Sequence, residues 1–244
     1  MQKIVILGAT SGMIQPLLRR MAERGKEMLL VARSQERLDV LRSDLLARGS
    51  PNVVTFQADL VELQELVLAF AKECFSGFDT LLLSYGTMLD QSACQIEPEH
   101  ATREFQANLV SPVAMLTLFG RYFESRSSGT IAVITSVAGD RGRRSNYVYG
   151  AAKGGLSIFL QGFRSRMHTF GVRVLTIKPG PVATSMTADM PNLRLLAAPE
   201  VVAADIYRAL ENPRTDVIYT PGYWRWLMGV VRIIPERAYK KLSL

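Results

Sequence analysis

The chain has 244 residues, 48% hydrophobic and 21% charged, with a formal net charge of +7. That length suits one large α/β domain or two small ones, and the balance of residue types excludes a disordered chain. No run reaches the roughly 18 apolar residues of a membrane span, and the four apolar residues from Ile4 to Leu7 are too few for a signal peptide.

Seven short apolar runs read as strands: Lys3–Leu7, Glu27–Ala32, Val53–Gln57, Thr80–Ser84, Thr130–Thr135, Arg173–Ile177 and Val217–Tyr219. Between them, Met13–Arg24, Gln35–Arg48, Leu63–Cys74, Ala107–Glu124 and Val148–His168 read as helices. Such alternation predicts a doubly wound α/β fold, a single domain whose parallel sheet is covered on both faces. Cys74 and Cys94 lack metal-ligand spacing and read as free thiols of a reducing compartment. With the missing signal peptide, they predict a cytoplasmic protein.

The first strand runs into Gly8-Ala9-Thr10-Ser11-Gly12-Met13-Ile14 and then a helix. A glycine-rich turn there lets backbone N–H groups approach a pyrophosphate, although a tight strand-to-helix turn also needs glycine. After the second strand, where an NAD site carries an acid, the chain reads Ala32-Arg33-Ser34. An arginine there matches the 2′-phosphate of NADP, or begins a solvated helix. The residue types favour NADP.

Ser136 follows the fifth strand, and Tyr149 and Lys153 lie on the next helix, four residues apart and so on one face. An ammonium beside a phenol lowers its pKa and makes tyrosine a usable acid or base, while a serine hydroxyl can bond a substrate oxygen. Each residue alone has a structural explanation; the ordered set is far rarer.

Six motifs in order carry a resemblance to the short-chain dehydrogenase/reductase family over nearly the whole chain. They are Gly8-Ala9-Thr10-Ser11-Gly12, Asp59-Leu60, Asn108-Leu109-Val110-Ser111-Pro112, Ser136-Val137-Ala138-Gly139, Tyr149-x-x-x-Lys153 and Pro179-Gly180-Pro181-Val182-Ala183-Thr184. The resemblance implies a Rossmann fold over 1–221, a seven-stranded parallel sheet and an amphipathic tail over 222–244. It implies a catalytic tetrad of Asn108, Ser136, Tyr149 and Lys153. Tyr149 would protonate a ketone, Ser136 would orient it, Lys153 would lower the tyrosine pKa and bond the nicotinamide ribose, and Asn108 would hold a relay water. Gly8, Thr10, Ser11, Gly12, Met13, Arg33, Asp59, Leu60, Gly86, Pro179, Gly180, Val182 and Thr184 would complete an NADP(H) site, with Asp59 at the adenine. Two positions depart from the family pattern: Ile14 replaces the third loop glycine, and Leu83-Ser84-Tyr85-Gly86 replaces Asn-Asn-Ala-Gly. Those departures motivate the alternative of a non-catalytic nucleotide-binding or scaffold protein.

The substrate is less legible. Arg141, Arg143 and Arg144 lie between Ser136 and Tyr149 and read either as a solvated loop or as a grip for phosphate or carboxylate. From Arg214 onward six basic residues face only Asp216 and Glu236, and Tyr223–Ile234 is apolar around most of a helix. That tail fits packing, a homodimer or homotetramer contact, or a membrane interface at the inner face of the membrane. A basic chain also suits nucleic acid, but no stacking platform or recognition helix accompanies the charge, so no nucleic-acid partner is expected. Within the family, Val137–Arg141, the arginine cluster and the tail are similar to reductases of decaprenylphosphoryl-2-keto-erythro-pentose. That similarity implies a lipid-linked keto-sugar and a partner oxidase that makes it.

Overall fold

The computed structural model describes residues 2–188 and 195–242, so residues 243 and 244 of the expected tail lie outside the described residues. In chain order the elements are β1 (Lys3–Leu7), α1 (Gln15–Glu23), β2 (Glu27–Ala32), α2 (Gln35–Ala47), β3 (Val53–Gln57), α3 (Gln64–Cys74) and β4 (Thr80–Leu83). Then come α4 (Gln91–Ile96), α5 (Pro98–Phe105), a π-helical turn (Gln106–Val110) and α6 (Ser111–Arg126). The second half holds β5 (Thr130–Ile134), a 3-10 turn (Val137–Asp140), α7 (Tyr147–His168), β6 (Arg173–Pro179), α8 (Pro199–Glu211) and β7 (Val217–Thr220). Two tail helices end it, α9 (Trp224–Ile233) and α10 (Glu236–Tyr239).

The seven strands form one parallel sheet in the order β3-β2-β1-β4-β5-β6-β7. Successive strand residues point to opposite faces. Ile4, Ile6, Met28, Leu30, Leu82, Ala132 and Ile177 therefore meet α1, α2 and α8, while Val5, Leu7, Leu29, Val31, Leu81, Leu83 and Val133 meet α3, α6 and α7. Both faces are covered, as the near-continuous apolar runs predict. This is the doubly wound fold expected. Its strand order reverses between β1 and β4, and in such sheets ligands bind at the carboxyl ends of the strands beside the reversal.

Several boundaries differ from expectation for local reasons. The first helix begins at Gln15 rather than Met13, because Ile14 N–H closes a turn onto Ser11 O at 3.2 Å. β6 runs on through Lys178 and Pro179, where Lys178 meets the carboxylate of Asp140. The helix expected from Ala107 is the second part of a longer path that starts at Pro98 and widens at the π-helical turn. α4, α5 and α8 were not anticipated; Pro98 and Pro199 sit in their helices' first turns, where a missing N–H costs nothing.

Candidate active site

The glycine loop leaves β1 with Gly8 N–H and Ala9 N–H both bonded to Val31 O, at 2.9 and 3.1 Å. Gly8 has a φ of +84°, and a Cβ there would sit 2.8 Å from Tyr85 N. The backbone N–H groups of Gly12 and Met13, just before α1, donate to no partner among the described residues. Free donors at a helix N-terminus suit an anion such as pyrophosphate. Thr184 faces them: its Cγ2 lies 3.7 Å from where a Gly12 Cβ would stand. The glycine loop and the Pro179–Thr184 segment therefore form two walls of one cleft. Val182 is buried and bridges to Ala197. Thr10 and Ser11 are half-buried on the loop wall.

Ile14 does not intrude on the cleft. Its side chain is wholly buried in the core beneath α1. Nor is the altered stretch after β4 idle. Ser84 Oγ donates within 3.0 Å of both Leu7 O and Gly8 O, and the Tyr85 hydroxyl meets Ser111 Oγ at 2.9 Å. Ser111 Oγ in turn donates to Leu60 O at 2.7 Å, so these side chains tie the ends of β1 and β4 and the loop after β3 to α6. Burial pushes the Tyr85 phenol up, which keeps it a neutral hydroxyl.

At the far end of the cofactor cleft, Arg33 is exposed at the end of β2. Arg37, which sequence reasoning missed, lies one helical turn on, and its guanidinium donates to Thr10 O at 2.8 Å. Ser34 caps that helix by accepting from Arg37 N at 3.3 Å. Asp59 Oδ1 accepts from Val61 N–H at 2.8 Å, which fixes its own loop. Leu60 sends its side chain into the core, leaving only its backbone for a ligand.

Ser136, Tyr149 and Lys153 meet where the turn after β5 lies on α7. Close backbone contact sets their spacing: a Cβ on Gly139 would stand 2.7 Å from Gly154 N, and one on Gly150 would stand 2.9 Å from Ala138 O. The turn after β5 thus lies flush on α7. Ser136 lies beside the phenol of half-buried Tyr149, and its Oγ accepts from Ala138 N at 3.1 Å. Lys153 is buried, with Nζ 5.8 Å from the Tyr149 ring centroid. Burial pushes the Tyr149 phenol up to about 12, against the Ser136 hydrogen bond. Burial also brings Lys153 down to about 8, against the attraction of Glu104. Desolvation of the phenolate is the largest influence on Tyr149 and favours its protonated form.

Asn108 completes the tetrad from the π-helical turn, a local widening often found at functional sites. Its Nδ2 donates to Glu104 Oε1 at 2.9 Å and to Thr87 O at 3.0 Å, and its Oδ1 accepts from Thr87 N at 3.3 Å. A Cβ on Gly86 would collide with Asn108 Oδ1 and stand 3.1 Å from Lys153 Nζ, so only glycine leaves room for both side chains there. Glu104, 1% exposed, was missed from sequence; its Oε2 accepts from Thr87 Oγ1 at 2.8 Å and Leu89 N at 3.2 Å.

The tail packs against this site. Trp224 is buried on Val137 and on Gly180, where any Cβ would overlap the indole. Its Nε1–H is buried without a partner among the described residues. Arg141 is engaged by the tail. Its guanidinium donates to Val231 O at 2.7 Å and Ile234 O at 2.6 Å, pairs with Glu236 at 3.0 Å and stacks 3.8 Å over the Tyr239 ring. Arg143 and Arg144 instead line a cleft of about 230 Å³ with Tyr239 and Lys240. Asp140, also unforeseen, is buried between Lys178 and the Tyr219 hydroxyl, the latter at 2.7 Å. Among the described residues no helix is long and apolar enough to cross a membrane, and no group of His, Cys, Asp and Glu could hold a metal.

A family model described as short chain dehydrogenase matches residues 2–193. An uncharacterized oxidoreductase of Mycobacterium tuberculosis is 34% identical over 98% of this chain and 96% of its own length. Another, from Streptomyces coelicolor, is 30% identical over 99% and 96%. A short chain dehydrogenase from Burkholderia cenocepacia, solved in complex with NADP, superposes with a TM-score of 0.83 at 22% identity over all of both chains. An alcohol dehydrogenase from Thermococcus sibiricus, complexed with 5-hydroxy-NADP, gives 0.78 at 21% identity over 90% of this chain and 95% of its own. With its tetrad assembled beside a glycine-loop cleft and its family model matched over most of its length, the chain belongs to the short-chain dehydrogenase/reductase family of oxidoreductases.

Proposed function

We propose that the protein reduces a ketone to a secondary alcohol with NADPH. One observation carries the reading: Ser136, Tyr149, Lys153 and Asn108 converge beside the glycine-loop cleft, where burial favours the protonated form of the Tyr149 phenol that a carbonyl oxygen requires. The bound cofactor supplies the hydride. Tyr149 Oη gives its proton to the carbonyl oxygen, and Ser136 Oγ holds that oxygen as charge develops on it. Lys153, largely charged below about pH 8, stabilises the phenolate left behind. Asn108 Oδ1, beside Lys153 over Gly86, is placed to accept a relay hydrogen bond.

The free N–H groups of Gly12 and Met13 suit the pyrophosphate, and Arg33 with Arg37 suits a 2′-phosphate. NADP in the two structural neighbours agrees with that reading. For the substrate, a polyprenyl-phosphate keto-sugar made by a partner oxidase is the class the tail and arginine cluster resemble. The cleft lined by Arg143, Arg144 and Lys240, whose one acid, Glu236, is paired with Arg141, carries the net positive charge that a phosphate requires. The alternative of a non-catalytic scaffold rested on Ile14 and the Leu83–Gly86 stretch, and both have packing roles here.

The test is Tyr149→Phe assayed with a panel of ketones that includes the lipid-linked keto-pentose. Turnover should fall by about 10²–10⁴-fold while NADPH titration stays unchanged. Equal turnover in both proteins overturns the assignment.

A further inference from the structure

Helix α9 is apolar on both sides. Trp224, Met228 and the partly buried Val231 face inward onto Val137 and Tyr219. On the opposite side, at the spacing that places residues on one face, Trp226 is 79% exposed, Val230 59% and Ile233 79%. A surface helix ordinarily turns polar residues outward. Here the outward stripe contains none, and Tyr223 and Leu227 extend it at 44% and 38% exposure. Around it the charge has one sign. Arg225, Arg237, Lys240 and Lys241 are exposed and enter no ion pair among the described residues, while the nearby acid, Glu236, is held by Arg141.

We propose that this face is a docking surface for an anionic lipid bilayer, with α9 lying in the plane of the interface. A ten-residue helix is about 15 Å long, half of what a span requires. An outward stripe led by tryptophan and rimmed by cations is the arrangement that settles at a headgroup boundary. Charge decides between occupants. A second copy would bring Arg225, Arg237, Lys240 and Lys241 against their own kind. A phospholipid surface offers the opposite charge and a matching apolar layer. The inward face, clamped by the carbonyl bonds of Arg141, holds the helix on the mouth of the cleft. The docked protein therefore presents its active site beside the membrane.

The test is co-sedimentation of the full chain with vesicles of phosphatidylcholine alone, or of phosphatidylcholine mixed with phosphatidylglycerol. It needs no turnover, so its outcome is independent of the ketone assignment. The protein should pellet with the mixed vesicles and stay in solution with the neutral ones. Trp226→Ser with Ile233→Ser should weaken partition at least about tenfold. Arg237→Gln, Lys240→Gln and Lys241→Gln together should weaken it on the order of a hundredfold. These side chains pack against nothing in the core, and circular dichroism on the same samples verifies folding. No sedimentation with mixed vesicles, or binding that both variants leave intact, overturns the proposal. So does a concentration-dependent dimer that Trp226→Ser with Ile233→Ser dissolves, which would assign the face to a second copy.

Discussion

Glu104 Oε1 accepts a hydrogen bond from Asn108 Nδ2 at 2.9 Å, with Asn108 wholly buried and Glu104 nearly so. That bond fixes which end of the Asn108 amide points where. With Nδ2 committed to Glu104 and Thr87, Oδ1 is left facing Gly86 and the Lys153 ammonium. Glu104 also attracts the positive charge of Lys153. It is a positioning residue for the tetrad. Its partners are all donors, which a carboxylate satisfies and an amide cannot. Glu104→Gln should therefore cost about 1–3 kcal/mol of stability. It should also move the alkaline limb of kcat/KM to lower pH, because Lys153 loses its supporting charge. An unfolding midpoint and a pH profile both unchanged would dismiss the role.

Lys153 makes a second pH statement. Its proton is lost near pH 8 in the folded chain and near 10.5 in the unfolded one. Below pH 8 both states carry the charge, and burying it costs on the order of 3 kcal/mol. Between the two values the unfolded chain binds the extra proton, so stability rises with pH across that window. Reduction goes the other way, since the phenolate needs the ammonium. We expect kcat/KM to fall above about pH 8 while urea midpoints climb, and Lys153→Met to abolish both trends. Parallel movement of rate and stability would contradict the assignment.

Arg33 and Arg37 divide the work at the far end of the cleft. Arg33 is exposed and its side chain has no bonded partner among the described residues, whereas Arg37 already holds Thr10 O. Arg33→Ala should thus weaken NADPH by roughly tenfold to a hundredfold, the range of one charged hydrogen bond, and leave NADH unchanged. Arg37→Ala should loosen the glycine loop and weaken both. Fluorescence titration with each cofactor separates them, and an undiminished NADPH preference in Arg33→Ala would reject the 2′-phosphate reading.

Much of the sheet was legible because its signals are local. β1, β2 and β3 match to the residue, since each is an uninterrupted run closed by glycine or a polar group. The tetrad was legible as well, through spacing on one helix and one strand end. What was not legible depends on distant partners. Arg141 reads from sequence as a solvated loop residue or an anion grip, because nothing near it in sequence shows the carbonyls of Val231 and Ile234, some 90 residues on. Glu104 sat in a segment whose helix went unread, so its place under Asn108 could not be seen. The lysine–tyrosine pair was read by charge alone, whereas burial dominates it.

The Arg141 clamp predicts a separation of effects. Arg141→Ala removes three carbonyl bonds, a bridge to Glu236 and the cover over Tyr239. The carbonyls of Val231, Arg232 and Ile234 at the C-terminal end of α9 are then left to solvent. Hydrogen exchange over 224–239 should speed by at least about tenfold, a loss of ~1.4 kcal/mol, with exchange in β1 and β4 unaffected. Were Arg141 a substrate grip instead, the variant would raise KM and leave tail exchange where it was.

Gly180 and Trp224 offer the sharpest packing test. The indole lies against the Gly180 backbone so closely that any Cβ must displace it. Gly180→Ala should cost about 1–3 kcal/mol through overpacking. Trp224→Ala alone should cost about 3–5 kcal/mol, as for other buried aromatic truncations. In the double variant the methyl enters space the indole has left, so the first cost should vanish and the two changes should be strongly non-additive. Trp224→Phe adds a chemical readout, because it keeps most of the packing and removes the partnerless buried N–H. A buried donor without a bond is costly, so this variant should be as stable as wild type or more so. If the N–H serves a ligand in the cleft, kcat/KM should nonetheless drop severalfold. Additive stabilities in the double variant would show that the indole sits elsewhere in solution, and with it the attachment of the tail to the site.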